Sequence, residues 1–511
     1  MRLSTTSKKS AVILSYVSLV FQTLTTMLLT RFYLKELGTE TYGLYQMVYS
    51  VAHYILILDL GISVTMVRYI TEFDAQNRHE EAENFAFQFM FVVVGIAVAV
   101  CAVGYVVNAN LENIYQSLSP DEYSLSHTMF SVMILQIVLT VISHYFRGIT
   151  LAHERFVFSR IISIAQIILN AALIIAFVLS GMGVLGITTA NTIVIGLVVA
   201  VYVAYDVFVL RFRIKFHHWN FMILKPAFLL MFAMLLQSIV GHVNSSVDKT
   251  ILGIMATKSD VAVYSIAATI VTMFNSLPTI ISGVFQPKAV KMVVKEANNE
   301  QLTDLVIVPG RFQFMVVGAF LAGFFLFGQD FIICWTGKDM TLAWSYVLII
   351  MIPNSIPLVQ NVCLSILNAK DKRLFRSIIL AALTIVNIGL TIVFIKLFGP
   401  IGAPLGTGVS YILGHCITMN IYYKKIIGLN VRRMFRSIFS KTWLCVVITL
   451  IINIPLMLWR VDGNWLVLIL KFVVFCAVYF TLLVFIGFNQ DEKKIITTVL
   501  KKLTGNRLRI N

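Results

Sequence analysis

Eight ionisable side chains lie inside or at the ends of long apolar runs: Arg31, His53, Asp59, His144, Asp248, Lys249, His415 and Lys471. A charged group at the bilayer centre costs about 2.5 to 3.5 kcal/mol on insertion scales, so residues of this kind pair with one another or mark a path for a polar solute. Arg31, Asp248 and Lys249 form the best-defined group. The stretch TRFYLKELGTETYGLY carries Arg31 out of one apolar run, through a turn at Gly38 and into the next run at Tyr42. Much later, VDKTILGIMATKSDVAVY repeats the plan with Asp248, Lys249 and Tyr264. A cavity lined by this trio would hold an anionic phosphate and form a charge pair that changes between states. The simpler alternative is that these side chains snorkel outward to the interface. Asp59, in LDLGIS, reads as a capping or interfacial carboxylate as readily as one with a role in the path. His53, His144 and His415 read first as packed, neutral imidazoles, and Lys471 stands apart from the others near the end of the chain.

Other chemistry is missing from the sequence. There is no Walker loop, no H-E-x-x-H and no G-x-S-x-G, and no outer loop carries paired carboxylates. The six cysteines all fall in or at the ends of apolar runs without a CxxC or a His/Cys cluster, so they read as packing thiols, with no metal and no cofactor expected. The chain is therefore not expected to be an enzyme.

The elements that must position these residues follow from composition. Of the 511 residues 59% are hydrophobic and 13% charged, with a mean hydropathy of +0.87, whereas a soluble protein carries about 25% charged residues. Apolar runs of about 20 residues recur along nearly the whole chain, the length of a membrane-crossing helix. They do not alternate as barrel strands would. The expected class is an all-α polytopic membrane protein of about fourteen transmembrane helices, the first from Ala11 to Thr30 and the second from Tyr42 to Thr65. A net charge of +16 would suggest nucleic acid in a soluble chain; here it is a topology signal. Alternate segments beginning with the N-terminus hold 32 Lys and Arg and the remaining loops hold 7, which places both termini in the cytoplasm. The basic N-terminal stretch lacks a small-residue cleavage site and reads as leading into a retained first span.

An internal repeat organises the spans. RIISIAQIILNAALIIAFVLSGMGVLGITTA, from Arg160, aligns without gaps onto RSIILAALTIVNIGLTIVFIKLFGPIGAPLG, from Arg376; Gly183 and Gly186 fall on Gly399 and Gly402. Two pseudo-symmetric six-helix lobes follow, residues 1–205 and 226–425, with two extra C-terminal helices and a basic cytoplasmic tail in 426–511. An even number of spans per lobe makes them parallel repeats, the plan of an alternating-access transporter. Between the lobes, residues 206–225 (DVFVLRFRIKFHHWNFMILK) interleave Arg211, Arg213 and Lys215 with Phe212, Ile214 and Phe216, as an interfacial segment does.

LGTETYGLYQ, LILDLGISVTMVRYITEF, VDKTILGIMATKSDVAVYSIA and LFGPIGAPLGT together resemble the polysaccharide-transporter (Wzx-like) oligosaccharide-lipid flippases of the multidrug/oligosaccharidyl-lipid/polysaccharide exporter superfamily. The resemblance runs over most of the chain. It implies a flippase that moves an undecaprenyl-pyrophosphate-linked oligosaccharide across the bacterial cytoplasmic membrane. Its partners would be that substrate, membrane lipids, a polysaccharide polymerase and glycosyltransferases, with no nucleic acid. A lipid II flippase, or a cation-coupled multidrug antiporter of the same superfamily, is the alternative. Fourteen spans resemble the flippase branches rather than the twelve-span antiporters. Lipid II flippases carry a cavity arginine in the first helix, and Arg31 stands at the comparable place. They also carry arginines in the second and eighth helices, where this chain offers His53 and an uncharged run. The substrate-binding residues expected from the residues and the resemblance together are Arg31, Asp248, Lys249, His53 and Asp59.

Overall fold

The computed structural model describes residues 5–116, 118–370, 373–459, 461, 463–490 and 492–493; from 494 onward the basic tail expected after the last span lies outside the described residues. Among the described residues every regular element is a helix. Nine segments are long and apolar enough to cross a membrane, and a bent pair makes a tenth. Three of them, at 59, 54 and 50 residues, are each more than twice the ~20 residues that one crossing needs. Counting those three twice, together with the bent pair and the helix Phe221–Met255, reaches the fourteen spans expected from the sequence.

The chain divides into two compact units, the first ending at Ser265 and the second beginning at Ile266. The first opens with α1 (Thr5–Ile55), which is broken at Gly38, where φ is 80° and ψ 168°. No atom lies within 4 Å of where a Cβ on Gly38 would stand, so the dihedral rather than space calls for glycine. A tight turn over Leu56–Asp59, with Leu60 and Gly61 both left-handed, leads into α2 (Ile62–Ala75). The second apolar run is therefore an interrupted helix rather than one continuous span. Such interruptions persist at membrane depth only where protein or water satisfies the freed backbone.

Next come α3 (His79–Ala109), α4 (Pro120–Ala152), α5 (Phe156–Phe177), α6 (Gly183–Ala204), α7 (Phe221–Met255) and α8 (Lys258–Val294). A capping box starts α4: Ser119 Oγ accepts from the Glu122 N–H, and the Glu122 carboxylate accepts from the Ser119 N–H. This division groups the seventh span, α7, with the first six.

The second unit holds the rest of α8 and then α9 (Asn299–Thr336), α10 (Ala343–Leu358), α11 (Asn361–Ala369), α12 (Arg373–Phe398), α13 (Gly402–Tyr411), α14 (Val431–Phe439), α15 (Thr442–Leu458) and α16 (Trp465–Leu482). The two stretches of the internal repeat both turn at a glycine of positive φ. Gly183 and Gly399 have φ of 56° and 72°, which glycine adopts far more readily than other residues. Three residues on, Cβ atoms at Gly186 and Gly402 would stand 3.0 and 2.2 Å from the carbonyl carbons of Phe177 and Phe394, so each repeat closes one helix tightly onto the next.

Two buried ion pairs tie α9 to the last helices. Arg311 is 3% exposed; its Nε donates to Glu492 at 2.5 Å, and its remaining nitrogens donate to the carbonyls of Ser437, Ser440 and Gly487 and to the second Glu492 oxygen at 2.8 to 3.2 Å. Lys471 of α16 is fully buried and donates to Asp330 at 2.8 Å and to the Trp459 carbonyl. Arg311 and Asp330 are separated along α9 by about 28 Å at the helical rise, close to the ~30 Å of a hydrocarbon core. The pairs thus clamp α9 near both of its membrane ends. All six cysteines are free thiols.

Arg311→Ala strips the guanidinium from the Glu492 carboxylate and three carbonyls, a loss of about 3 to 5 kcal/mol for breaking a buried pair. The thermal midpoint of purified protein in detergent should fall well below that of the parent, and Arg311→Lys should fall by less.

Candidate functional site

From Tyr42 to Tyr54 the polar and aromatic residues of α1 recur three and four apart: Tyr42, Tyr45 and Gln46, Tyr49 and Ser50, His53 and Tyr54. That spacing puts them on one face of a helix. On α7, His242, Ser246, Lys249 and Thr250 do the same. Gln46 Oε1 accepts from Lys249 Nζ at 3.1 Å. Thr250 Oγ1 lies 3.0 Å from both Ser50 Oγ and the Tyr54 hydroxyl. His53 Nδ1 lies 3.1 Å from Ser246 Oγ and 3.3 Å from His242 Nδ1. Between Gln46 and His53 α1 advances seven residues while α7 retreats from Lys249 to His242, the register of an antiparallel pair. The result is a polar strip inside the first unit.

Aromatic rings extend the strip along α1. Centroid separations are 6.1 Å for Tyr33 and Tyr42, 5.9 Å for Tyr45 and Tyr49, 5.5 Å for Tyr49 and His53, and 4.5 Å for His53 and His242. From the loop before α4, the buried Tyr115 donates its hydroxyl to the Met47 carbonyl at 3.0 Å. A Cβ on Gly253 would stand 2.8 Å from the Tyr115 ring, so the bare backbone of α7 admits that ring. A Cβ on Gly43 would stand 2.0 Å from the Lys258 carbonyl oxygen, which makes glycine the residue that lets α1 meet the start of α8.

The five residues expected to bind substrate are distributed unevenly. Lys249 and His53 meet on the strip. Asp248, one residue from Lys249, points about 100° away round the helix; it is 3% exposed and accepts the Tyr264 hydroxyl. Arg31 is exposed and makes no ion pair with Asp248. Asp59 sits in the break between α1 and α2, where its carboxylate meets His144 Nδ1 of α4 at 2.7 Å. The structure therefore gathers Lys249 and His53 on the strip, turns Asp248 to Tyr264, pairs Asp59 with His144 and leaves Arg31 exposed. The tyrosine series was in the sequence as YGLYQMVYSVAH, but a search for ionisable groups passes over it. Among the described residues no group of three or more His, Cys, Asp or Glu is placed to hold a metal ion.

Residues 7–293, more than half of the chain, match the family model described as polysaccharide biosynthesis protein. The chain belongs to that family. No curated protein matches it by sequence. Among solved structures, the lipid II flippase MurJ in an inward closed conformation aligns with a TM-score of 0.70 at 14% identity, covering 93% of this chain and 99% of MurJ. An inward-facing multidrug resistance MATE family transporter of the MOP superfamily aligns at 0.64 and 16% identity, covering 83% and 99%. A Vibrio cholerae MATE transporter, VcmN, aligns at 0.57 and 14% identity, covering 84% and 99%. At these identities the likeness is one of fold: this polysaccharide biosynthesis protein is a multi-pass helical membrane protein with the fold of those flippases and transporters.

Because Gly43 faces a backbone carbonyl that cannot move aside, Gly43→Ala should destabilise the first unit by about 1 to 3 kcal/mol, read as a lower thermal midpoint. Gly95→Ala is the control, since its Cβ would meet nothing within 4 Å.

Proposed function

We propose that this protein translocates a lipid-linked oligosaccharide across the bacterial cytoplasmic membrane by alternating access, with both termini in the cytoplasm. The observation that carries this reading is the strip on α1 and α7. Hydroxyls, an amide, imidazoles and ring faces side by side on two facing helices are what a glycan headgroup needs from a protein: partners for its hydroxyls and flat apolar surfaces for its sugar rings. The prenyl tail has no such need and stays in lipid.

In this reading Lys249 meets the phosphate and His53 the adjoining sugar, and the tyrosines stack on the glycan. Arg31, exposed at the end of the first span, stands apart from Lys249 and meets the phosphate at another point of the crossing. Asp248 and Asp59 act through Tyr264 and His144, holding helices in place. The repeat supplies the lobes that alternate, residues 1–205 and 226–425, with 206–225 between them. Glycosyltransferases would supply the substrate and a polymerase would consume it. The family description and the MurJ-like fold support this reading over a multidrug antiporter. So does the state of the carboxylates: Asp248 and Asp59 are already engaged by Tyr264 and His144 rather than open to a coupling cation.

The test is complementation of a strain lacking its own oligosaccharide flippase, with surface polysaccharide as the readout. Loss of one charged hydrogen bond, ~1.5 to 3 kcal/mol, predicts that Lys249→Met lowers export by tenfold or more at unchanged membrane levels. Arg31→Ala and Tyr49→Ala should also impair export, whereas Lys249→Arg should retain part of it. Normal polysaccharide in both the Lys249→Met and Tyr49→Ala strains would sink the proposal.

A further inference from the structure

Residues 210–220 form an irregular strap between α6 and α7. Two buried amides of α3 grip it. Asn84 and Gln88, 0% and 1% exposed, donate to the His218 carbonyl at 2.9 and 2.7 Å. Asn84 Oδ1 accepts from the backbone N–H groups of His217 and His218 at 3.0 and 3.3 Å, and Gln88 Oε1 from that of Asn220 at 3.4 Å. These amides mark where α3 changes character: His79, Glu80, Glu81 and Glu83 precede them and the apolar run from Phe85 follows. The strap is thus held at the depth where a transmembrane helix passes from water into hydrocarbon.

Arg211, Arg213 and Lys215 are exposed at alternate positions, and half-buried Phe212 and Ile214 lie between them. In extended chain, alternation sends Arg213 and Lys215 to one side, and Arg211 enters the strap just before them with a φ of 53°. Phe216 and Trp219, 41% and 56% exposed, stack with Phe87 and Phe91 of α3, as aromatic residues do at a membrane interface. No acidic residue occurs between Asp206 and Asp248, and Glu83 is occupied by His217 at 3.3 Å. Immediately beyond the strap, an apolar groove of about 700 Å³ opens along the first turns of α7, lined by Leu60, Pro226, Phe228, Leu229 and Phe232 with Lys225 at one end.

We propose that the strap binds anionic phospholipid: the phosphates rest on Arg211, Arg213 and Lys215 while an acyl chain lies in the groove. Depth selects this occupant. A row of cations level with the headgroups meets lipid phosphate before it meets an acidic protein, and each cation near the surface strengthens attraction to anionic lipid.

The experiment titrates the detergent-purified full chain with phosphatidylglycerol, phosphatidylcholine or polyprenyl diphosphate and follows its thermal midpoint. Phosphatidylglycerol should stabilise at lower concentration than phosphatidylcholine, with the difference shrinking as salt rises. The variant R211Q/R213Q/K215Q should weaken the phosphatidylglycerol effect about tenfold or more. R211K/R213K/K215R, which keeps the charge, and R432Q/R433Q/R436Q, which neutralises the basic helix α14 instead, should retain it. The proposal is overturned by an undiminished preference in the strap variant, by equal loss in the α14 variant, or by a response to polyprenyl diphosphate alone. If the neutral strap variant does not fold, a salt-insensitive preference in the unmodified chain overturns it equally.

Discussion

An ammonium group inside an apolar helical unit must find an acceptor, and Lys249 finds the Gln46 side chain at 3.1 Å. That bond fixes which turn of α7 faces which turn of α1, and the contacts of Thr250, Ser246 and His242 follow from it one turn at a time. Had the helices packed one residue out of step, every one of these polar groups would rotate by 100° into apolar surroundings. Gly43 and Gly253 belong to the same constraint, because side chains there would hold neighbouring segments away before the polar bonds could close.

The second unit meets the same cost differently. Lys471 is fully buried, but a carboxylate and a carbonyl both receive its protons, and the Phe327 ring lies 5.8 Å from it. Arg311 is likewise satisfied from several sides. Cations so fully paired have nothing left for a substrate and serve to hold helices together. Lys249 donates one bond to a neutral amide and keeps its charge uncompensated on that strip. The same residue type is thus fully paired in one unit and held by a single neutral acceptor in the other, and the identity of the acceptor makes the difference.

Much of this fold could be read from the chain, because a bilayer leaves helices few alternatives. Span lengths, the turn at Gly38 and the paired glycines all depend on local chemistry, and each has a counterpart in the structure. The break at 56–61 was hidden: LILDLGIS reads as continuous, and what holds it open is His144, 85 positions away. The site was harder still. Asp248 and Lys249 look like a unit because they are adjacent, yet adjacency on a helix means pointing in different directions. The likeness of the two stretches that carry Arg31 and Asp248 sets them at similar positions along a span but carries no information about which way either faces. Lys471 was visible as a buried cation, but its partner Asp330 lies 141 residues earlier, beyond any periodicity.

The repeat glycines show where sequence likeness does carry structural meaning. Gly183 and Gly399 both have positive φ, and Gly186 and Gly402 both bring a new helix against the backbone of the one before. The surrounding residues of the two stretches differ considerably, as they are free to do where they face lipid, since many apolar side chains fill that role equally well. A positive dihedral followed at the same distance by a Cβ-free contact has far fewer solutions. What persists between the two copies is accordingly the turn, and the polar strip of the first unit is laid on helices whose connections are fixed by backbone geometry rather than by side-chain identity.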